Sequence, residues 1–253
     1  MPRSAVPNTG SIITTIRTKW AWILAGLFVV VLVTMLTPDP DDTLAAGTGP
    51  VAPSEVTDAQ QIQTAFTQLS TLEVKGRAPK TGYDRELFGA SWTDNVSVEL
   101  GRNGCDTRND ILRRDLVDIT SRDRTRNCVV QSGTLRDLYT GTIIAFTRGT
   151  KTSDAVQIDH VVALSDAWQK GAQLLDAQTR ADLANDPRNL QAVDGPTNQR
   201  KSDADASTWL PPLAAYRCTY VARQVEVKVA YRLWVTPPER DAMSAVLTGC
   251  GAR

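Results

Sequence analysis

The sequence predicts an α+β fold: a small ββα element embedded in a mostly helical domain, with one transmembrane helix at the N-terminus. Three observations predict it. An uninterrupted apolar run, WAWILAGLFVVVLVTML, stands near the start. Short β-branched stretches, GTIIAFTR, AVQIDHVVAL and RNLQAV, alternate with segments whose apolar residues recur at helical spacing. The C-terminal third places Val221, Val225, Val229 and Leu233 four apart, as an amphipathic helix does.

The N-terminal run, Trp20 to Leu36, spans about 26 Å as a helix at about 1.5 Å per residue, close to the hydrocarbon thickness of a bilayer. Arg3, Arg17 and Lys19 precede it and Asp39, Asp41 and Asp42 follow. The positive-inside rule then keeps the N-terminus cytoplasmic and exports the rest. The division that follows is a cytoplasmic tail at 1–19, a signal anchor at 20–36, a flexible linker at 37–56 and a folded domain at 57–253. Pro, Gly, Ala and acidic residues dominate the linker, which has little to bury. Cleavage after the apolar run is the rival reading, and it gives a secreted protein.

Within the domain, Ile62, Phe66, Leu69 and Leu72 predict a first helix from Thr57 to about Leu72. Residues 76–92 form a Gly- and Pro-punctuated loop whose aromatics pack on the core. VSVEL, 96–100, alternates like a strand. Ile111, Leu112, Leu116 and Ile119 place a helix over 107–119. Strands follow at 141–148 and 155–164. A helix capped by Ser165 continues through Trp168 and Leu174 to about Ala184. NDP breaks it, and the strand RNLQAV ends in the turn Asp194-Gly195-Pro196. From Thr197 the chain is helical again. Thr236 to Glu239 is a capping box with proline at the first helical position, opening a last helix that stops near Gly249. Trp168, Trp209 and Trp234 belong to the core.

The four cysteines, Cys105, Cys128, Cys218 and Cys250, contain no CxxC pair, which argues against structural zinc. In an exported domain they read as two disulfides. The last two helices run out and back, which favours Cys218–Cys250 and leaves Cys105–Cys128.

Formal net charge is zero, so a globally basic nucleic-acid wrapper is excluded while a local basic patch is not. His160 is the sole histidine, so an HExxH zinc site is excluded and imidazole chemistry runs through this one ring. It follows Asp159 at the end of a strand. The second strand carries Asn189 and the next helix carries Asn198, Arg200, Lys201 and Asp203. Strand, strand and helix with polar groups converging from each make a ββα layout.

IDHVVALSDAW, NDPRNLQAVDGPTNQRKSDADASTWLPP and YRCTYVARQVEVK resemble the HNH (His-Me finger) nucleases. More closely, they are similar to the HNH-type C-terminal domain of the GmrSD restriction endonucleases, in exported, membrane-anchored form. GRAPKTGYDRELFG, GCDTRNDILRRDL and DLYTGTIIAF extend the likeness. The resemblance implies metal-dependent hydrolysis of phosphodiesters in nucleic acid, DNA ahead of RNA, outside the cytoplasm. His160 would be the general base. Asp159 and Asn198 would ligate one divalent cation, Mg²⁺ or Mn²⁺, with Asp203 or Asp205 as alternatives to Asn198. Asn189 would hold the His160 loop, and Lys201 and Arg200 would contact backbone phosphate. Arg108 is the best further phosphate contact in the arginine-rich stretch 102–126, where interleaved aspartates absorb much of the charge. The competing reading is a non-catalytic exported domain that binds nucleic acid or an envelope partner on the same scaffold. The membrane is a partner only through the N-terminal helix, and no protein partner is inferable.

Overall fold

The computed structural model describes residues 53–253, with side chains from residue 59 onward. The expected tail, apolar run and most of the linker lie outside the described residues. Among the described residues, no helix is long and apolar enough to cross a membrane.

Helix α1 (Pro53–Leu69) packs against α6 (Arg217–Ala230) and α7 (Pro237–Gly249). Ile62, Leu69, Val221, Val225, Met243 and Leu247 form the shared core, the apolar stripe that the spacing predicts. The capping box is present: Thr236 accepts from the Glu239 backbone, and Glu239 accepts from Thr236 N in return. The disulfides are Cys105–Cys128 and Cys218–Cys250. The second ties α6 to the end of α7, as the out-and-back reading requires.

Helix α2 (Thr107–Asp115) is capped by Asp106 and ends earlier than the sequence predicts. Leu116 to Ser121 is instead strand β1, paired antiparallel with β2 (Val130–Arg136), which pairs with β3 (Ile143–Thr147). The β-branched residues Val117, Ile119 and Thr120 favour that pairing once β2 is available. Strand β2 gives little sequence signal, because Gln131, Ser132, Gly133 and Thr134 break its apolar pattern. No strand forms at 96–100. Val96 N and Gly101 N bond locally to Asp94 O and Val98 O, and Leu100 adopts a positive φ of 66°.

Strand β4 (Val156–His160) pairs antiparallel with β5 (Leu190–Asp194), Val156 opposite Asp194 and His160 opposite Leu190. The two adjacent predicted strands thus part company: β3 joins β1–β2, while β4 starts a separate two-stranded sheet. The long predicted helix after β4 is two helices, α3 (Leu164–Trp168) and α4 (Ala177–Asn185). Gly171 at φ 119° breaks the run, and Asp176 rather than Ser165 supplies the side-chain cap. Helix α5 (Gly195–Lys201) follows β5 directly, capped by Asp194, and stops where Ser202 takes a φ of 53°. A Cβ at Gly195 would lie 1.9 Å from the Asp154 carbonyl oxygen, so only glycine lets α5 start this close to β4. The ββα element is therefore β4, β5 and α5. Its ribbon is buried on one face against Ile111, Leu135 and Phe146, and on the other through Val193 against the three-helix core.

Candidate active site

Successive side chains of a strand point to opposite faces, and β4 uses both. His160 turns toward Ala184 and Trp92. Its Nε2 lies 2.9 Å from the Ala184 carbonyl oxygen. A carbonyl only accepts, so Nε2 carries the proton and Nδ1 is the basic nitrogen of the ring. Trp92 stacks on the imidazole with centroids 5.9 Å apart and planes 14° from parallel. Burial first, and then the positive charge of Arg85, push the His160 pKa down to about 3, so the ring is neutral at physiological pH.

Asp159 turns the other way. Lys201 Nζ donates to its Oδ1 at 2.9 Å, and Tyr139 donates its hydroxyl proton to Oδ2 at 2.5 Å. Lys201 also donates to the His160 carbonyl at 2.8 Å and is fully buried. This corrects its expected place on an exposed helix face meeting phosphate: it is a latch between α5 and the end of β4. Arg200 is exposed and donates to Thr197 Oγ1 at 2.7 Å.

Asn189 is fully buried just before β5. Its Oδ1 accepts from Val162 N at 2.8 Å and its Nδ2 donates to Leu183 O at 3.2 Å, while its backbone carbonyl accepts from Val161 N at 2.7 Å. One side chain thereby fixes the chain just past His160 to the turn before β5. Gln224 on α6 adds a bond to the Val161 carbonyl at 2.9 Å. Arg114 and Arg223 donate to the Leu190 carbonyl at 2.6 and 3.0 Å. No sequence motif pointed to these last three supports, because they come from distant helices.

Asp159, His160 and Asn198 line one cavity of about 580 Å³, together with Arg85, Trp92 and Arg108. Asn198 donates Nδ2 to Gln157 Oε1 at 2.9 Å, which leaves its Oδ1 as the free acceptor. Asp203 also lines the cavity but is held by Lys80 at 3.0 Å and Ser165 at 2.9 Å. Asp205, the other alternative, is committed elsewhere, to Lys170 and Arg77 at 2.7 Å each. Among the described residues, no group of three or more His, Cys, Asp or Glu gathers as a metal cage. Two oxygen-bearing residues of the cavity wall, Asp159 and Asn198, suit a hard cation that keeps several waters, although Lys201 engages both oxygens of the Asp159 carboxylate and Tyr139 engages one. The Asn198 Oδ1 is unengaged, and the Asp159 Oδ1 has acceptor capacity beyond the Lys201 bond.

The domain model for the GmrSD restriction endonuclease C-terminal domain matches residues 106–246, more than half of the chain. This chain belongs to that family. The match covers α2, the three-stranded sheet, the whole ββα element and most of α7. Tyr83, Arg85 and Trp92 precede it, so part of the cavity wall of this GmrSD-type domain is built by residues outside the matched region. An uncharacterized secreted protein of Arthroderma benhamiae is 36% identical over 189 residues, 74% of this chain and 85% of that protein. No solved structure matches the chain.

Proposed function

We propose that this protein is an extracytoplasmic HNH-type nuclease that hydrolyses phosphodiesters of nucleic acid, with His160 as general base. The observation that carries this reading is the Nε2–Ala184 hydrogen bond, which fixes the tautomer and leaves Nδ1 as the unprotonated nitrogen. A phosphate anion in the cavity, offsetting the Arg85 charge, would raise the basicity that burial and Arg85 lower. The water oxygen would bond to phosphorus, the ester P–O bond on the opposite side would break, the departing oxygen would take a proton from solvent, and His160 would return to solvent the proton it received. Asp159 and Asn198 would hold a divalent cation, Mg²⁺ or Mn²⁺, which when bound supplies charge stabilisation on the phosphate and the departing oxygen. Asn189 keeps the imidazole in place by clamping the chain that follows it. Lys201 orients the Asp159 carboxylate and ties it to the His160 backbone.

Two disulfides and the secreted relative support a site of action outside the reducing cytosol. The apolar run at 20–36 would tether the domain to the outer face of the membrane. The GmrSD family supports nucleic acid as substrate.

The buried Lys201–Asp159 pair favours a second reading, a domain that binds nucleic acid without cutting it, since the ammonium already neutralises that carboxylate. One experiment separates the two. The full chain is incubated with plasmid DNA and with RNA, with Mg²⁺, with Mn²⁺ or with EDTA. Metal-dependent cleavage is expected, and His160→Ala should reduce it by about 10² to 10⁴-fold, the usual contribution of a general base. Undiminished cleavage by the variant sinks the mechanism, and stoichiometric binding without turnover favours the second reading.

A further inference from the structure

Two cations on the cavity wall have no partner. Arg85 and Arg108 both line the cavity that holds His160, and among the described residues neither guanidinium makes a hydrogen bond or an ion pair within the chain. Other arginines nearby are satisfied: Arg77 holds two carboxylates, Arg188 holds Asp186, and Arg114 holds Asp115 and two carbonyls.

Their placement differs in a useful way. Arg108 is half-buried with its guanidinium 5.8 Å over the Phe146 ring. Burial, and then the neighbouring Arg148 charge, disfavour its protonated form, and Asp106 and Asp154 only partly offset them. Asp154 and Val156 stand at the start of β4. Arg85 lies at the other end, where it also borders a small cavity with Trp92, His160 and Ala184. Four residue steps of β4 cover about 13 Å at about 3.3 Å each, more than one phosphate bridges.

We propose that Arg85 and Arg108 grip different phosphates of one nucleic-acid strand laid along β4, so that the cavity selects a polynucleotide over a small phosphodiester. The direction of the strand past His160 rests on the nuclease reading above; the phosphate contacts themselves do not. Phosphate would supply the missing partner for a guanidinium that is already partly desolvated above an aromatic ring. Arg85 precedes the region matched by the family model, so this end of the grip is an addition made by the N-terminal loop.

The test measures binding separately from cleavage. A labelled single-stranded oligonucleotide is titrated by fluorescence anisotropy over a salt series, using full chain carrying His160→Ala so that nothing is turned over. Adding Arg85→Ala or Arg108→Ala should each lower the slope of log K against log salt by roughly 0.7, the value for one phosphate contact on a single strand. The double change should lower it by about twice as much. Arg85→Lys keeps the charge and should keep the slope, which separates a lost contact from a lost fold. In the His160-containing protein, the same alanine changes should raise KM for DNA several-fold. Slopes equal to that of the parent protein in both single variants overturn the proposal, whether or not the enzyme cuts. Reduced slopes in a protein that never cuts support the grip and dismiss the nuclease reading alone.

Discussion

Two groups of charged and titratable side chains, one around Lys170 and one around His160, are finished to different degrees. In the first, Lys170 is fully buried with its Nζ 2.7 Å from each of Asp166, Asp205 and Glu239. Lys228, also fully buried, lies 3.0 Å from Glu239, and Arg77 closes the cluster at 2.8 Å from Asp166 and 2.7 Å from Asp205. Three cations meet three carboxylates. Against the burial that would lower it, Asp166 and Glu239 hold the Lys170 pKa above its ordinary value. Hydrogen bonds from Lys170 and Ser207 likewise outweigh burial at Asp205 and keep its carboxyl well below the usual range. In the second group, around His160, burial wins at the imidazole, and neither Arg85 nor Arg108 is closed by an ion pair among the described residues. A charge completed within the chain holds the fold together. A charge left unpaired at a cavity wall is what the proposed phosphate grip would use.

Removing a charge from each group tests that contrast. The largest effect falls on the completed cluster. Lys170→Met leaves three buried carboxylates facing only Lys228 and Arg77, and the unfolding free energy should fall by about 3–5 kcal/mol, measured by denaturant titration. A loss below about 1 kcal/mol would mean that the cluster is far better hydrated than its burial implies.

An intermediate effect is the acid sensitivity of His160. The unfolded ring titrates near 6.5 and the folded one at about 3. Above pH 6.5 both states are neutral and the ring costs nothing. Below it the unfolded chain takes up a proton that the folded chain refuses, so stability falls with pH until about pH 3. The wild type should lose about 1.4 kcal/mol per pH unit across that window relative to His160→Ala. A difference between the two proteins that does not change with pH would show the ring to be open to water. The smallest effect belongs to Arg85. Being exposed and unpaired, its replacement by alanine should change stability by no more than about 0.5 kcal/mol. A larger loss would reveal a structural partner and weaken its assignment to phosphate.

The sequence was legible wherever a pattern is local. Apolar residues four apart placed α6, and the Thr236–Glu239 box fixed the start of α7 to the residue. The Asp194-Gly195-Pro196 turn marked the junction of β5 and α5, although Asp194 proved to be a cap rather than the start of a loop. It misled where a local preference was outbid. Val96, Val98 and Leu100 alternate like a strand but find no partner, whereas Val117 and Ile119 lie within the predicted helix 107–119, yet Val117 pairs with Thr134 of β2 and Ile119 sits at the irregularity beside it. The core could not resolve that choice in advance, since both residues remain partly exposed.

By itself, then, the sequence determined which chemistry is available: one imidazole, a neighbouring carboxylate, two asparagines on a strand–strand–helix frame, and cysteines in two bridgeable pairs. These follow from residue identity and short-range periodicity, which need no knowledge of distant contacts. Only the tertiary structure decided the roles that depend on meeting across the chain. It sent Asp159 and His160 to opposite faces of β4 and buried Lys201 against the carboxylate. It made the Ala184 carbonyl the partner that sets the imidazole tautomer, and it brought Arg85 from an upstream loop to the cavity. Hydrogen bonds and ion pairs act over a few ångströms, and residues 24 to 42 positions apart reach that range only after the chain has closed on itself.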